Sequence, residues 1–167
     1  MANTQSMCTS FMQQLMVGEH QLGTATLVSR TSLTSPTTDT LKAALYLASA
    51  TMNAASTVYT AVNEVSGTGY VAGGVTVTNA TAPNSTNTTA TAGVAFWTPS
   101  ASITYTSVTL ATAFDAVMIY NFTQGSAGAY PAVSIHTFGS QTITAGTFTL
   151  TMPTNNTANA LIRLSTT

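Results

Sequence analysis

Two histidines, one cysteine and four carboxylates are the whole stock from which a metal site or an acid–base mechanism could be built: His20, His136, Cys8, Glu19, Asp39, Glu64 and Asp115. A metal ion needs several such ligands converging, commonly as H-x3-H or C-x2-C pairs, and neither spacing occurs. No metal or cofactor is expected. His136 sits in the run AVSIHTF, where a strand histidine bonded locally is a simpler account than a ligand. A Ser-His-acid triad is compatible with the count, since serines abound and Glu64 and Asp115 are available, but the nucleophile elbow G-x-S-x-G is missing. Glu64 and Asp115 could in principle flank a glycosidic bond, yet nothing in their spacing brings them together. The glycines of GTGYVAGG lead into a strand, which makes them turn residues and not a phosphate cradle opening a helix. Cys8 beside Met7 reads as a small buried hydrophobe. The expectation is a protein without catalysis.

Glu64 itself, in NEVSGTGY, is a lone acid between a strand and a glycine turn. A carboxylate so placed can accept hydrogen bonds from turn amides and fix the loop. Trp97 and the tyrosines Tyr46, Tyr59, Tyr70, Tyr105, Tyr120 and Tyr130 suit either a sugar-stacking face or core packing with polar tips outward; core packing is the simpler use.

The elements that must position these residues are nearly all strands. LKAALYLA (Leu41–Ala48), GGVTVTNA (Gly73–Ala80), TAGVAFW (Thr91–Trp97), SITYTSVTL (Ser102–Leu110), AVMIYNF (Ala116–Phe122), AVSIHTF (Ala132–Phe138), GTFTLTM (Gly146–Met152) and NALIRLS (Asn159–Ser165) are rich in β-branched and aromatic residues. Several alternate with period two, as Phe148, Leu150 and Met152 do against Thr147, Thr149 and Thr151. Turn clusters separate them. About eight short strands predict a mainly β fold, an antiparallel β-sandwich that is jelly-roll-like, with a short N-terminal helix and an extended arm.

The helix lies within Met7–Leu22. Phe11 and Leu15 fall at i,i+4, as do Met12 and Met16, giving an apolar stripe. Ser10 with Gln13 resembles a capping box and Gly18 a stop. About two turns of helix are marginal alone, so the stripe needs a surface. The connector Gly23–Thr38 is Ser/Thr-rich with one proline and, if extended at about 3.3 Å per residue, would reach roughly 50 Å. The predicted organisation is therefore an attachment segment, residues 1–38, and a sandwich, residues 39–167, that folds without it. Phe11, Met12, Leu15 and Met16 are the candidate contacts with a neighbouring subunit or partner.

The charge is what sets the chain apart. Of 167 residues only Arg30, Lys42, Arg163, Glu19, Asp39, Glu64 and Asp115 are formally charged, where about a quarter is usual. Three scattered cations cannot neutralise a phosphate backbone or bind an anionic membrane, so neither nucleic acid nor membrane is an expected partner. Threonines keep outward strand faces wet without charge, but the sheet edges lack the lysines that usually block strand pairing. A protein with little net repulsion between its copies associates readily, which points to work inside a packed assembly as a homo-oligomer. Asn79, Asn84, Asn87, Asn121 and Asn155 begin N-x-S/T sequons, a number expected by chance in so threonine-rich a chain. The start MANTQSMCTS has no basic region followed by an apolar stretch, and export is not expected.

Three blocks carry a resemblance. CTSFMQQLMVGEHQL, from Cys8, is similar to the C-x-S-F-x-x-x-L-x-x-G-x-H start of a group of small virion structural proteins of tailed bacteriophages. Asp39–Asn79 resembles that group's stretch of K-x-A-L-Y (Lys42 to Tyr46), a turn ending in Tyr59-Thr60, and E-V-x-G-x-G-Y-x-x-G-G (Glu64 to Gly74). VMIYNF at Val117–Phe122, and GTFTLTMPT and ANALIRL within Gly146–Leu164, resemble its C-terminal half. The connector is longer than the pattern, and FDAVMIY stands where an A-R-G-A-L-I-Y-like string is usual. By analogy with cement proteins, the resemblance implies a decoration protein on the capsid exterior, bound to the major capsid protein, with a trimer favoured. The alternatives are a head- or tail-fibre or tail-associated virion subunit, with glycan recognition by the aromatics, and an adhesin-like bacterial surface domain.

Overall fold

The structure, a computed structural model, describes residues 2–24, 38–86, 93–124 and 129–166. In chain order the elements are β1 (Ser6–Met7), α1 (Thr9–Val17), β2 (Leu41–Leu47), β3 (Val75–Val77), β4 (Asn84–Ser85), β5 (Val94–Trp97), β6 (Ile103–Asn121), β7 (Ala132–Leu150) and β8 (Ile162–Ser165). They form a five-stranded sheet, order β1-β7-β6-β2-β3, and a three-stranded sheet, order β4-β5-β8. All pairings are antiparallel. The fold is mainly β, two antiparallel sheets with one short N-terminal helix, as the strand pattern predicts. Trp97 and Ile162 of the small sheet join the same buried cluster as Leu45, Phe114, Val117 and Ile119 of the large one.

Two pairs of predicted strands turn out to be continuous. Ser102–Leu110 and Ala116–Phe122 are the ends of β6, and Ala132–Phe138 and Gly146–Met152 those of β7, each strand 19 residues long. The breaks seen in the alternation are bulges. Along β6 the buried positions run Ile103, Tyr105, then Val108, Leu110, then Phe114, and the jumps coincide with register shifts against β7. Ser107 (φ 54°) and Ala145 (φ 47°) carry the left-handed backbone that lets the extra residues in. From Ala116 to Asn121 every residue is buried, because this end of β6 lies between β2 and β7 with both faces covered.

The N-terminal segment is woven into this sheet. Ser6 and Met7 pair with Ile135 and Ser134. Cys8 and Phe11 are fully buried among residues of β2, β6 and β7. The division into an attachment segment (1–38) and a self-contained sandwich (39–167) therefore does not describe the packing. Nor does Ser10 cap the helix. Cys8 is the N-cap, without a side-chain bond, its N–H donating to the Val133 carbonyl (3.0 Å) while Thr9 N–H donates to Ala54 (2.9 Å); neighbouring carbonyls thus satisfy two of the amides that a helix start leaves unpaired. The far end closes as predicted, at Gly18 (φ 76°), with N–H groups returning to Gln14 and Leu15.

Of the connector Gly23–Thr38, residues 25–37 lie outside the described residues. Its two ends meet: the Thr38 hydroxyl donates to the Gly23 carbonyl (2.8 Å). Gly23 N–H donates to Asn79 (2.7 Å) and the Thr24 hydroxyl to Ala80 (2.8 Å). Helix and sandwich are thus joined side by side, not across a reach of tens of ångströms.

This packing predicts opposite outcomes for two neighbours on α1. Phe11→Ala empties a core site and should cost about 3–5 kcal/mol, whereas Met16→Ala, on a residue 82% exposed, should change stability by no more than about 0.5 kcal/mol. Urea unfolding of both variants measures the difference.

Candidate functional site

The side chains with catalytic potential are held apart. On β7 the Ser134 hydroxyl and His136 Nε2 lie 2.9 Å from each other, two residues apart and so on one face. Burial pushes His136 down to about 4, which leaves it neutral, and among the described residues no carboxylate is bonded to it. Asp115 is bonded by the Asn3 amide (2.5 Å). Asp39 reaches His20 through the Asn121 amide. The Cys8 thiol is raised by burial to about 11, the opposite of an activated thiolate. Among the described residues no three His, Cys, Asp or Glu side chains are placed to hold a metal.

Glu64 accepts three hydrogen bonds. Oε2 accepts from the Tyr59 hydroxyl (2.6 Å), while Oε1 accepts from the Tyr70 hydroxyl (2.6 Å) and the Gly73 amide (2.7 Å). The same phenols tie the loop to the sheet. Tyr70 also accepts from the Leu45 amide (3.0 Å), Tyr120 donates to Gly73 (2.7 Å), Tyr105 to Ala43 (2.7 Å) and Tyr46 to Thr60 (2.6 Å). Tyr59 stacks on Tyr120 and Tyr70 on Tyr105. Burial raises all these phenols above the ordinary tyrosine range, and the charge on Glu64 raises them further. Loop 64–74 lies so close to β2 that a Cβ on Gly74 (φ 71°) would stand 1.6 Å from the Ala43 carbonyl oxygen. The E-V-x-G-x-G-Y-x-x-G-G block is thereby accounted for as a clamp across the sheet. Its amide acceptor was visible in the sequence; its two tyrosine donors, at 59 and 70, were not.

The aromatic face is largely consumed by the core. Trp97 is 1% exposed and its indole N–H donates to Thr81 (2.9 Å). Tyr130 packs against Tyr59, Tyr120 and Phe122, and the Lys42 ammonium sits 4.1 Å from the Phe122 ring centre. Asn121, which begins one of the sequons, is itself fully buried.

Large apolar side chains are exposed singly at Val58, Val62, Val71, Phe122 and Leu164, and as a group on α1. Of the predicted contacts, Met12 (41% exposed) and Met16 (82%) face solvent together with Val17, which the i,i+4 pattern did not pick out. Leu15 is half-buried against the core. Phe11, with no exposure, is part of the core and is withdrawn as a contact. Beside the helix runs a groove of about 260 Å³ lined by Leu15, Leu22, Phe96, Trp97, Ile162 and Leu164. It joins residues from both ends of the chain, a juxtaposition no local pattern announces.

Comparison with protein-family models, with curated proteins and with solved structures finds no match to this chain.

Glu64→Gln keeps the shape but offers one acceptor oxygen where three donors converge. It should lower stability by roughly 1–3 kcal/mol, the range for hydrogen bonds to a charged group, while Gly74→Ala should be worse, since backbone blocks the added methyl. Thermal melts of the two variants check the order. An unchanged melting temperature for Glu64→Gln would show that the clamp contributes nothing.

Proposed function

We propose that this chain is a decoration (cement) protein of a tailed-phage head, seated on the outer surface of the major capsid protein. The observation that carries the reading is the exposed apolar face of α1, Met12, Met16 and Val17, held on a helix whose other side is locked into the sheet. A rigidly mounted apolar patch is suited to docking without an ordering cost. The seven charges among 167 residues support it, because contacts in such a chain must come from apolar packing and neutral hydrogen bonds. The resemblance of the Cys8 and Glu64 blocks to phage virion proteins supplies the partner. Copies around a capsomer junction, as a trimer, would each contribute one helix face.

Reconstitution on capsids stripped of their accessory proteins tests this. Occupancy should stay nearly constant from low salt to ~1 M, where the Debye length falls to about 3 Å, and Met16→Asp should abolish binding without lowering the melting temperature. Occupancy that falls steeply with salt, or Met16→Asp binding as wild type, contradicts the proposal.

A further inference from the structure

Asn121, the last residue of β6, is fully buried, and the backbone fixes which way its amide points. Oδ1 accepts from the N–H groups of Thr123 (3.0 Å) and Gln124 (3.1 Å). Nδ2 therefore faces the other way and has two hydrogens to give. It lies 2.6 Å from Asp39 Oδ2 and 2.8 Å from His20 Nδ1. A ring nitrogen that accepts at Nδ1 carries no proton, so the imidazole proton is on Nε2 and is donated to Gln14 Oε1 (3.0 Å). Asp39 is filled as well, by the Gln21 amide (2.7 Å) and the Gln124 side chain (3.1 Å). Every donor and acceptor in the cluster fits one protonation state, with His20 neutral.

Two charged groups lie around the ring. Asp39, ahead of β2, favours the imidazolium; Glu19 is reached only through Gln14 (3.4 Å). Phe11, whose ring centre is 4.8 Å from that of His20, brings no charge but helps to exclude water. Burial outweighs the pull of Asp39, and the folded protein binds a proton at His20 less readily than an exposed histidine does. A proton on Nδ1 would face the Asn121 NH2 group. Turning that amide over relieves the clash only by giving up both backbone bonds and pointing Oδ1 at the Asp39 carboxylate.

We propose that the His20–Asn121–Asp39 cluster is an acid-released clasp, which pins the turn after α1 to the end of β6 while His20 is neutral and lets that turn open when His20 takes up a proton. The sign follows from linkage. His20 in the closed state has a lowered proton affinity, so the clasp holds fully above the ordinary histidine value of about 6.5 and weakens as pH falls below it, down to the closed-state value. The open fraction grows by up to tenfold per pH unit in that window. His20 also lines the groove beside α1, so opening the turn would reshape the surface proposed for attachment; that consequence rests on the functional reading, whereas the clasp does not.

Hydrogen exchange of the full chain at pH 7 and pH 5, corrected for intrinsic rates, tests it against His20→Gln, which cannot titrate. Amides of Gln14–Leu22 should lose protection, with a ceiling of about twenty-fivefold from linkage. Those of β2 and β6 should keep theirs, and the variant should lose none. Loss spread evenly over β2 and β6, or the same loss in the variant, overturns the clasp and points to a global effect such as protonation of His136. Nitrogen-15 NMR of the wild type decides the matter even if the variant does not fold: an Nε2–H ring with a midpoint below ~6.5 is required, and an Nδ1–H ring or a higher midpoint refutes it.

Discussion

The pairing of β6 with β7 carries the rest of the molecule. This one hairpin occupies the middle of the large sheet; β2 attaches to β6 and β1 to β7. Loop 64–74 leans on the exposed half of β6, through the bridge between Thr68 and Thr109, and α1 rests on β7, with Cys8 bonded to Val133. A hairpin with strands of 19 residues is too long to stay flat, and the bulges at Ser107 and Ala145 bend it. The same bulges bear on a hazard of the composition. The outer edge of β7 carries no lysine, and among the described residues β1 pairs with it only at Ser134 and Ile135. Irregular backbone interrupts that edge where a charge would ordinarily do so.

With so few charges, the ionisable groups inside the fold are held by neutral partners. Glu64 is held by two phenols and an amide, Asp39 by side-chain and backbone amides, and His20 by Asn121 and Gln14. Such bonds need particular geometries, which explains why the loop after Glu64 cannot spare Gly74 and why Asn121 has a single workable orientation. A carboxylate held in the fold without a cation depends on hydrogen bonds to its oxygens, and Glu64 and Asp39 accept three each.

Much of this was legible in the sequence where the pattern is local. Thr147 to Leu150 alternate cleanly, and their exposure follows suit. Leu41–Leu47 was found within one residue because strand composition and the flanking turns agree. The halves of β6 were taken as separate strands because Ala111, Thr112 and Ala113 are exposed in succession, at a register shift against β7, and so break the alternation. The stripe on α1 was seen, but i,i+4 pairing does not say which pair faces inward, and Phe11 proved to be core while Met12 and Met16 did not. The integration of the N-terminus was not legible at all. Cys8 meets Val133 and His20 meets Asn121, contacts that depend on the closed topology and leave no trace in spacing.

Residues 2–24 thus both complete the core and present one exposed apolar face, Met12, Met16 and Val17. On the reading proposed above, that face seats each copy on the capsid shell. The number of copies per particle tests that account most directly, read from a cryo-electron microscopy map of the virion with the protein stoichiometry measured alongside. Hundreds of copies on the outside of the head, each with α1 turned toward the major capsid protein, are predicted; a few dozen or fewer, confined to the tail or its fibres, would contradict it.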